Sequence, residues 1–250
     1  MKIQLVRHAT LLVHTKTARI LVDPMLSPAG AMPPIDNSGD SRRNPLVDLP
    51  VRVEELFNVD AVLLTHTHRD HFDREASRLL PKGIPVLCQP EDEDKLSALG
   101  FSRVYPIGES LAWQGVKITR TGGRHGTGAI EKAMGPVSGY VLQTEADQSL
   151  YITGDTIWCP EVESPLKVFS PQIIIVFSGA ARFTEGDPIT MTAEDVAQVC
   201  RSAPGARVVA VHLEALNHCF LTRDKLRRHL QNQGLTDRAI IPGDGEWLKF

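Results

Sequence analysis

The sequence predicts an α/β fold: one domain over residues 1–250 in which two mixed sheets pack together beneath outer helices. Three observations lead there. Short apolar runs follow one another closely at the N-terminus, with no helical spacing between them. Strand-like and helix-like segments then alternate, an order that points to parallel pairing. The second half of the chain repeats the theme, so a second sheet can match the first. A chain of 250 residues is long enough to bury a sizeable core in one such sandwich.

Ile3–Val6, Ala9–Val13 and Ala18–Val22 read as an antiparallel meander that ends at Asp23-Pro24. Residues 27–50 carry Pro28, Pro33, Pro34, Pro45 and Pro50 among Gly30, Asn37, Gly39 and Asn44, and show no period. A stretch this long without structure is either a functional lid or a surface insertion, and composition leaves both open. Val51–Asn58 reads as a short helix, Ala61–Leu64 as a buried strand and Glu75–Leu80 as a helix. Ile84–Cys88 is a strand, and Glu91–Leu99 a helix stopped by Gly100. Val116–Thr119, Gly139–Leu142, Ser149–Ile152 and Gln172–Phe177 have strand character. Thr192 and Asp195 bracket a helix-start box that opens Ala193–Ser202. Ala206–Val211 is a strand, Thr222–Gln231 a helix ended by Gly234, and Ala239–Ile241 a short apolar run before Pro242.

Composition narrows the function. Hydrophobic residues make up 42% and charged residues 23%, ordinary for a globular domain. A net charge of -3 gives no electrostatic case for nucleic acid or an acidic membrane. No early apolar run has the length of a secretory signal, and none approaches the ~20 residues of a membrane span, so a cytoplasmic location is expected. Cys88, Cys159, Cys200 and Cys219 form no C-x-x-C pair and are expected reduced, with Cys88 and Cys200 in the core.

The chemistry is concentrated in Thr65-His66-Thr67-His68-Arg69-Asp70-His71, directly after an apolar strand. Imidazole and carboxylate are ligands that zinc, manganese and iron accept, and a tight turn can aim several at one point. No packing role explains such a density of histidine.

His-x-His-x-Asp-His after a buried strand resembles the metallo-β-lactamase superfamily. Further motifs stand in the order that family has them: Asp23 after a strand, His125 in Gly123-Arg124-His125-Gly126, Asp155 in Thr153-Gly154-Asp155, and His212 at the end of Val208–Val211. The resemblance implies a four-layer αββα sandwich and two divalent metal ions, zinc first, with manganese or iron also suited. It implies that His66, His68 and His125 hold one ion, that Asp70, His71 and His212 hold the other, and that Asp155 bridges them. Two ions sharing a hydroxide would lower its pKa and clamp the attacking and leaving oxygens. Asp70 would also orient the nucleophile or carry protons, and Asp23 would be a hydrogen-bond acceptor behind a ligand. Val6-Arg7-His8-Ala9-Thr10 is similar to a first turn found in the branch of ascorbate-6-phosphate lactonases and N-acyl-phosphatidylethanolamine phospholipase D, where this histidine lies near the metals.

The expected activity is hydrolysis of a small ester, lactone or phosphodiester. A nuclease-like phosphodiesterase and a non-catalytic metal-binding protein are the alternatives; the acidic charge argues against the first and the full ligand set against the second. His218 is a candidate catalytic group and a substitute ligand should His212 point away. Glu214 is a candidate substrate contact, and Arg182, past a strand end, is a candidate partner for an anionic substrate. Trp158 either walls the pocket or belongs to the core. A homo-oligomer stays open.

Overall fold

The structure is a computed structural model that describes residues 1–250. The first half contains β1 (Lys2–Arg7), β2 (Thr10–His14), β3 (Arg19–Val22), β4 (Ala61–Leu63), α1 (Arg74–Leu79), β5 (Val86–Cys88), α2 (Glu93–Ala98) and β6 (Val104–Pro106). The second contains β7 (Ser110–Trp113), β8 (Val116–Thr121), α3 (Gly128–Met134), β9 (Gly139–Gln143), β10 (Leu150–Ile152), α4 (Pro160–Phe169), β11 (Ile173–Phe177), α5 (Ala193–Ser202), β12 (Arg207–Val211), α6 (Arg223–Asn232) and β13 (Ala239–Ile240). The final strand, β14 (Trp247–Lys249), returns to pair with β1.

Two seven-stranded sheets result, ordered β14-β1-β2-β3-β4-β5-β6 and β13-β12-β11-β10-β9-β8-β7. β1, β2 and β3 form the expected antiparallel meander, and β3 through β6 pair in parallel. Alternation along each strand divides the apolar residues between two faces. Ile173, Ile175 and Phe177 of β11 join Ile3, Leu5, Ile20 and Leu63 in the core between the sheets. Ile174 and Val176 face outward onto Val162 and Leu166 of α4, Val196 and Cys200 of α5, and Leu226 of α6. On the far side, Leu21, Val62 and Val86 pack beneath Ala76 of α1 and Leu96 of α2. The layers are therefore helix, sheet, sheet, helix, the expected αββα sandwich. Cys88 and Cys200 lie in the core, where burial pushes their thiols up to about 12 and about 11.

Several elements differ from the sequence reading. The helix expected over 51–58 is a 3-10 turn at Val53–Phe57, and the one expected over 91–99 is a 3-10 turn at Pro90–Asp92 running into α2. Five elements had no clear signal: α3, α4, β6, β7 and β14. The box at Thr192 is present, with its side chain accepting from Asp195 N and Asp195 accepting from Thr192 N. No helix is long and apolar enough to cross a membrane.

The stretch 27–50 is a strap laid against the end of the sandwich. It is pinned at its root by Arg7, a buried arginine whose guanidinium donates to the carbonyls of Met25, Ser27 and Val47. It is pinned at its centre by two buried asparagines. Asn217 Oδ1 accepts from Ile35 N at 3.0 Å and from Asn44 Nδ2 at 2.7 Å, while Asn44 Oδ1 accepts from Asn217 N at 2.9 Å.

Candidate metal centre

Strand direction gathers the chemistry at one rim. β1 and β3 run the same way through β2, and β4 is parallel to β3, so His8, Asp23 and the His66–His71 turn all emerge at the same end of the first sheet. In the second sheet β8 and β10 share a direction through β9, and β11 and β12 are parallel to β10. His125, Asp155 and His212 follow β8, β10 and β12 and so emerge together. The backbone joins the two sides directly, His212 N donating to His8 O at 2.9 Å.

Three of the residues that emerge there have left-handed backbones: His8 at φ 60°, Asp23 at φ 42° and His212 at φ 67°. Such residues cost of order 1–3 kcal/mol each and persist where the surroundings hold them. Two glycines are sterically required beside them. A Cβ on Gly154 would meet Ser138 O at 2.3 Å, and that tight turn delivers Asp155. A Cβ on Gly179 would meet His212 O at 2.5 Å, where β11 ends beneath the His212 loop.

Hydrogen bonds behind the rings fix which nitrogen faces inward. His71 Nδ1 donates to Asp23 Oδ2 at 2.9 Å, and His125 Nδ1 donates to Ile189 O at 2.8 Å. Thr65 Oγ1 donates to Asp23 Oδ2 at 2.7 Å, which leaves it to accept from His66 Nδ1 at 3.1 Å. The Nε2 atoms of all three histidines therefore point to the centre. His212 Nε2 lies 3.3 Å from His71 Nε2, and His66 Nε2 lies 2.9 Å from His68 Nδ1. Asp155 stands between, its Oδ2 3.2 Å from His71 Nε2 and 3.4 Å from His125 Nε2, and its Oδ1 3.3 Å from His212 Nε2.

This donor set fits divalent cations. Ring nitrogens and carboxylate oxygens crowd together at distances that a bound cation would satisfy, and Asp155 Oδ1 is buried with no hydrogen-bond partner. His66, His68 and His125 converge as one group, and Asp70, His71 and His212, with His8, as a second. The electrostatics express the same need. Burial opposes ionisation of Asp70 and Asp155, yet the histidines around them outweigh it and hold both carboxyls well below the usual range. Burial likewise opposes a charge on His71, but Asp155, Asp70 and Asp23 hold its imidazolium well above the ordinary value. Burial keeps His66 and His212 well below theirs, so both are neutral, as ligands must be.

The other residues singled out in the sequence divide. Asp23 sits behind His71 as an acceptor, and it also receives Thr65 N at 2.8 Å. His8 is buried against the second group, its ring centroid 3.6 Å from that of His212 and its Nε2 3.5 Å from Asp70 Oδ2. His212 points inward, so no substitute ligand is needed; His218 instead lines the cavity above the donors, with Nδ1 buried and unpaired. Burial lowers His218 to about 4, so it is neutral, and the helix behind it is capped by Thr222. Two expectations are corrected, and of the two readings of Trp158 the core one holds. Glu214 turns away to accept from Arg223 N and Nη1. Arg182 is exposed, with its guanidinium 5.0 Å above the Phe220 ring rather than in the cavity. Trp158 packs on the outer core around α4 and α5.

The cavity over the donors has a volume of about 190 Å³. His68, Asp70, His125 and His218 form its floor, and Ile35, Met134, Phe183 and Ile189 its apolar wall. Arg69 is its one cationic residue, and Nη2 of that side chain donates to Pro34 O at 2.7 Å. Sequence reasoning missed this wall. Ile35 comes from the strap, Met134 from α3, and Phe183 and Ile189 from the segment after β11, with no common spacing to reveal them.

Comparisons agree with this architecture. A family model described as β-lactamase superfamily domain matches residues 18–213. The UPF0173 protein YddR of Bacillus subtilis is 34% identical over 254 residues, covering all of both chains. The structure of an isothiocyanate hydrolase from Delia radicum gut bacteria is 35% identical with a TM-score of 0.96, over 100% of this chain and 99% of that one. A possible metal-dependent hydrolase from Veillonella parvula is 31% identical with a TM-score of 0.97 and the same coverage.

Proposed function

Because the chain belongs to the β-lactamase superfamily domain family and to the UPF0173 metal-dependent hydrolases, we propose that it hydrolyses a small, uncharged, apolar electrophile at a centre of two divalent cations. The observation that carries the substrate class is the cavity wall. Apolar side chains surround the donors, and the one arginine present is engaged by a backbone carbonyl. A phosphate or carboxylate group would meet a single guanidinium, Arg69, already turned to a backbone carbonyl, among otherwise apolar walls. Among neutral electrophiles an isothiocyanate is the first to try, since that is what the similar solved hydrolase acts on. Lactones and simple esters share the needed features, a carbon open to water and no charge.

His66, His68 and His125 would hold one cation, Asp70, His71 and His212 the other, with Asp155 facing both. The ligands suit zinc first, and manganese or iron as well. When bound, such cations acidify water and polarise the atom that takes up negative charge. The remaining work belongs to the chain. Asp70 accepts the proton that leaves the attacking water. His218, neutral and unpaired at Nδ1, orients the substrate by a hydrogen bond. Ile35, Met134 and Phe183 exclude bulk water. For an isothiocyanate, water adds to the central carbon to give a thiocarbamic acid. Its C–N bond then breaks, the nitrogen taking the proton, to release an amine and carbonyl sulfide.

The test pairs elemental analysis of purified protein with turnover of a panel: an isothiocyanate, a lactone, a p-nitrophenyl ester and a phosphodiester. We expect about two metals per chain and chelator-sensitive turnover of a neutral substrate. Turnover of the phosphodiester alone would refute the substrate class. Protein that stays metal-free after reconstitution and inert towards the panel would refute the reading altogether.

A further inference from the structure

The inner cavity is too small for a whole substrate of any length. Its volume of about 190 Å³ is close to that of an engineered apolar cavity of about 150 Å³ that binds a single benzene. The reacting head and the attacking water take up most of it. Beside it lies an open groove of about 550 Å³. Met134 and Phe183 line both spaces, so the two adjoin at these side chains.

The groove owes its character to α3. Ile130, Ala133 and Met134 stand at positions i, i+3 and i+4, the spacing that makes one apolar stripe on a helix. Such a stripe is ordinarily buried, yet no residue of α3 is fully buried, and Ala133 is exposed. Phe183 completes the apolar surface from across the groove. Of the groove's polar lining, only Glu185 carries charge.

We propose that this groove is a substrate subsite: it takes the uncharged alkyl or aryl tail of a molecule whose reactive head occupies the inner cavity. The assignment rests on the proposed hydrolase reading and names the rest of its substrate. Continuity with the inner cavity through Met134 and Phe183 selects the tail as occupant over a separate partner. Glu185 disfavours an anionic tail, and the apolar stripe rewards length. Burying one methylene is worth about fourfold in affinity, so binding should strengthen by about that factor per carbon until the groove is spanned.

Isothermal titration with N-alkylformamides of increasing tail length reads the subsite apart from turnover, because amides react far more slowly than isothiocyanates or aryl esters. The same tails are then presented as isothiocyanates and as p-nitrophenyl esters. Affinity should rise with tail length, and kcat/KM should rise in parallel. Ala133→Asp, an exposed change that leaves the core intact, should bring the long-to-short ratio close to one in both series. Ala133→Trp, which obstructs the groove, should do the same. Tail-independent affinity in the native protein would overturn the subsite. So would a dimer that Ala133→Asp dissociates, since a second copy would then own the groove. Tail-dependent binding without turnover of any tailed substrate would instead sink the hydrolase reading and leave the subsite standing.

Discussion

Asp23 takes three hydrogen bonds, from Thr65 N, Thr65 Oγ1 and His71 Nδ1, and so governs two of the inward-facing rings while standing outside both proposed cation pockets. Acceptors placed behind metal ligands typically contribute 10- to 100-fold to metal affinity. Asp23→Ala should therefore lose metal to a competing chelator by about that factor, and most of the activity should return at saturating metal. Unchanged affinity would mean that packing alone orients His71. At this scale the sequence is legible where chemistry is local. His66, His68, Asp70 and His71 announce themselves within one turn, and Asp23, Asp155 and His212 each stand where an apolar run ends. It is illegible where direction decides. Glu214 lies two residues past a donor yet turns to Arg223, and Arg182 lies past a strand end yet stacks on Phe220. Nothing in the chain's order of residues announces either partner.

Elements were readable to the extent that their apolar period was uninterrupted. β11 and β12 are continuous apolar runs and α5 carries its capping box, so both strands and the helix follow from the residues. α4 was hidden by its own chemistry. Pro165 sits inside the helix, where a proline ordinarily breaks one, and the fold tolerates it because Pro165 is buried with Val162 and Leu166 against the second sheet. The strap is the other case. Its prolines read as absence of structure, but buried amides supply the order that period does not. Asn217→Ala would strand the half-buried Ile35 N and the buried Asn44 Nδ2, and a buried donor left unpaired costs about 1–3 kcal/mol. The melting temperature should fall by several degrees, at roughly 2–4 °C per kcal/mol for a chain of this size. Hydrogen exchange should rise across residues 30–45, and because Ile35 walls the cavity, KM should rise more than kcat falls. Normal exchange in the strap would show that Arg7 and the flanking backbone bonds hold it alone.

Across the whole molecule, the donors are shared between the sheets. The first sheet contributes His66, His68, Asp70 and His71, and the second contributes His125, Asp155 and His212, so each proposed cation pocket draws ligands from both. The sandwich has its large apolar core between the sheets, but at this rim it presents buried carboxylates and imidazoles facing one another, a costly arrangement until charge is balanced. Metal should therefore act as a clamp on the fold as well as a reagent. A ligand that binds only the folded state at 100 times its dissociation constant adds about 2.7 kcal/mol. That corresponds to a rise of roughly 5–10 °C in melting temperature for a domain of this size. Chelation should reverse the rise, and Asp155→Ala, which removes the carboxylate facing both pockets, should abolish most of it. Hydrogen exchange should slow on metal addition in the His66–His71 turn and in the His125 and His212 loops together. Protection confined to one sheet would mean that the cations are held from one side, and a melting temperature indifferent to both metal and chelator would mean that the rim is balanced by protons, with His71 carrying the charge.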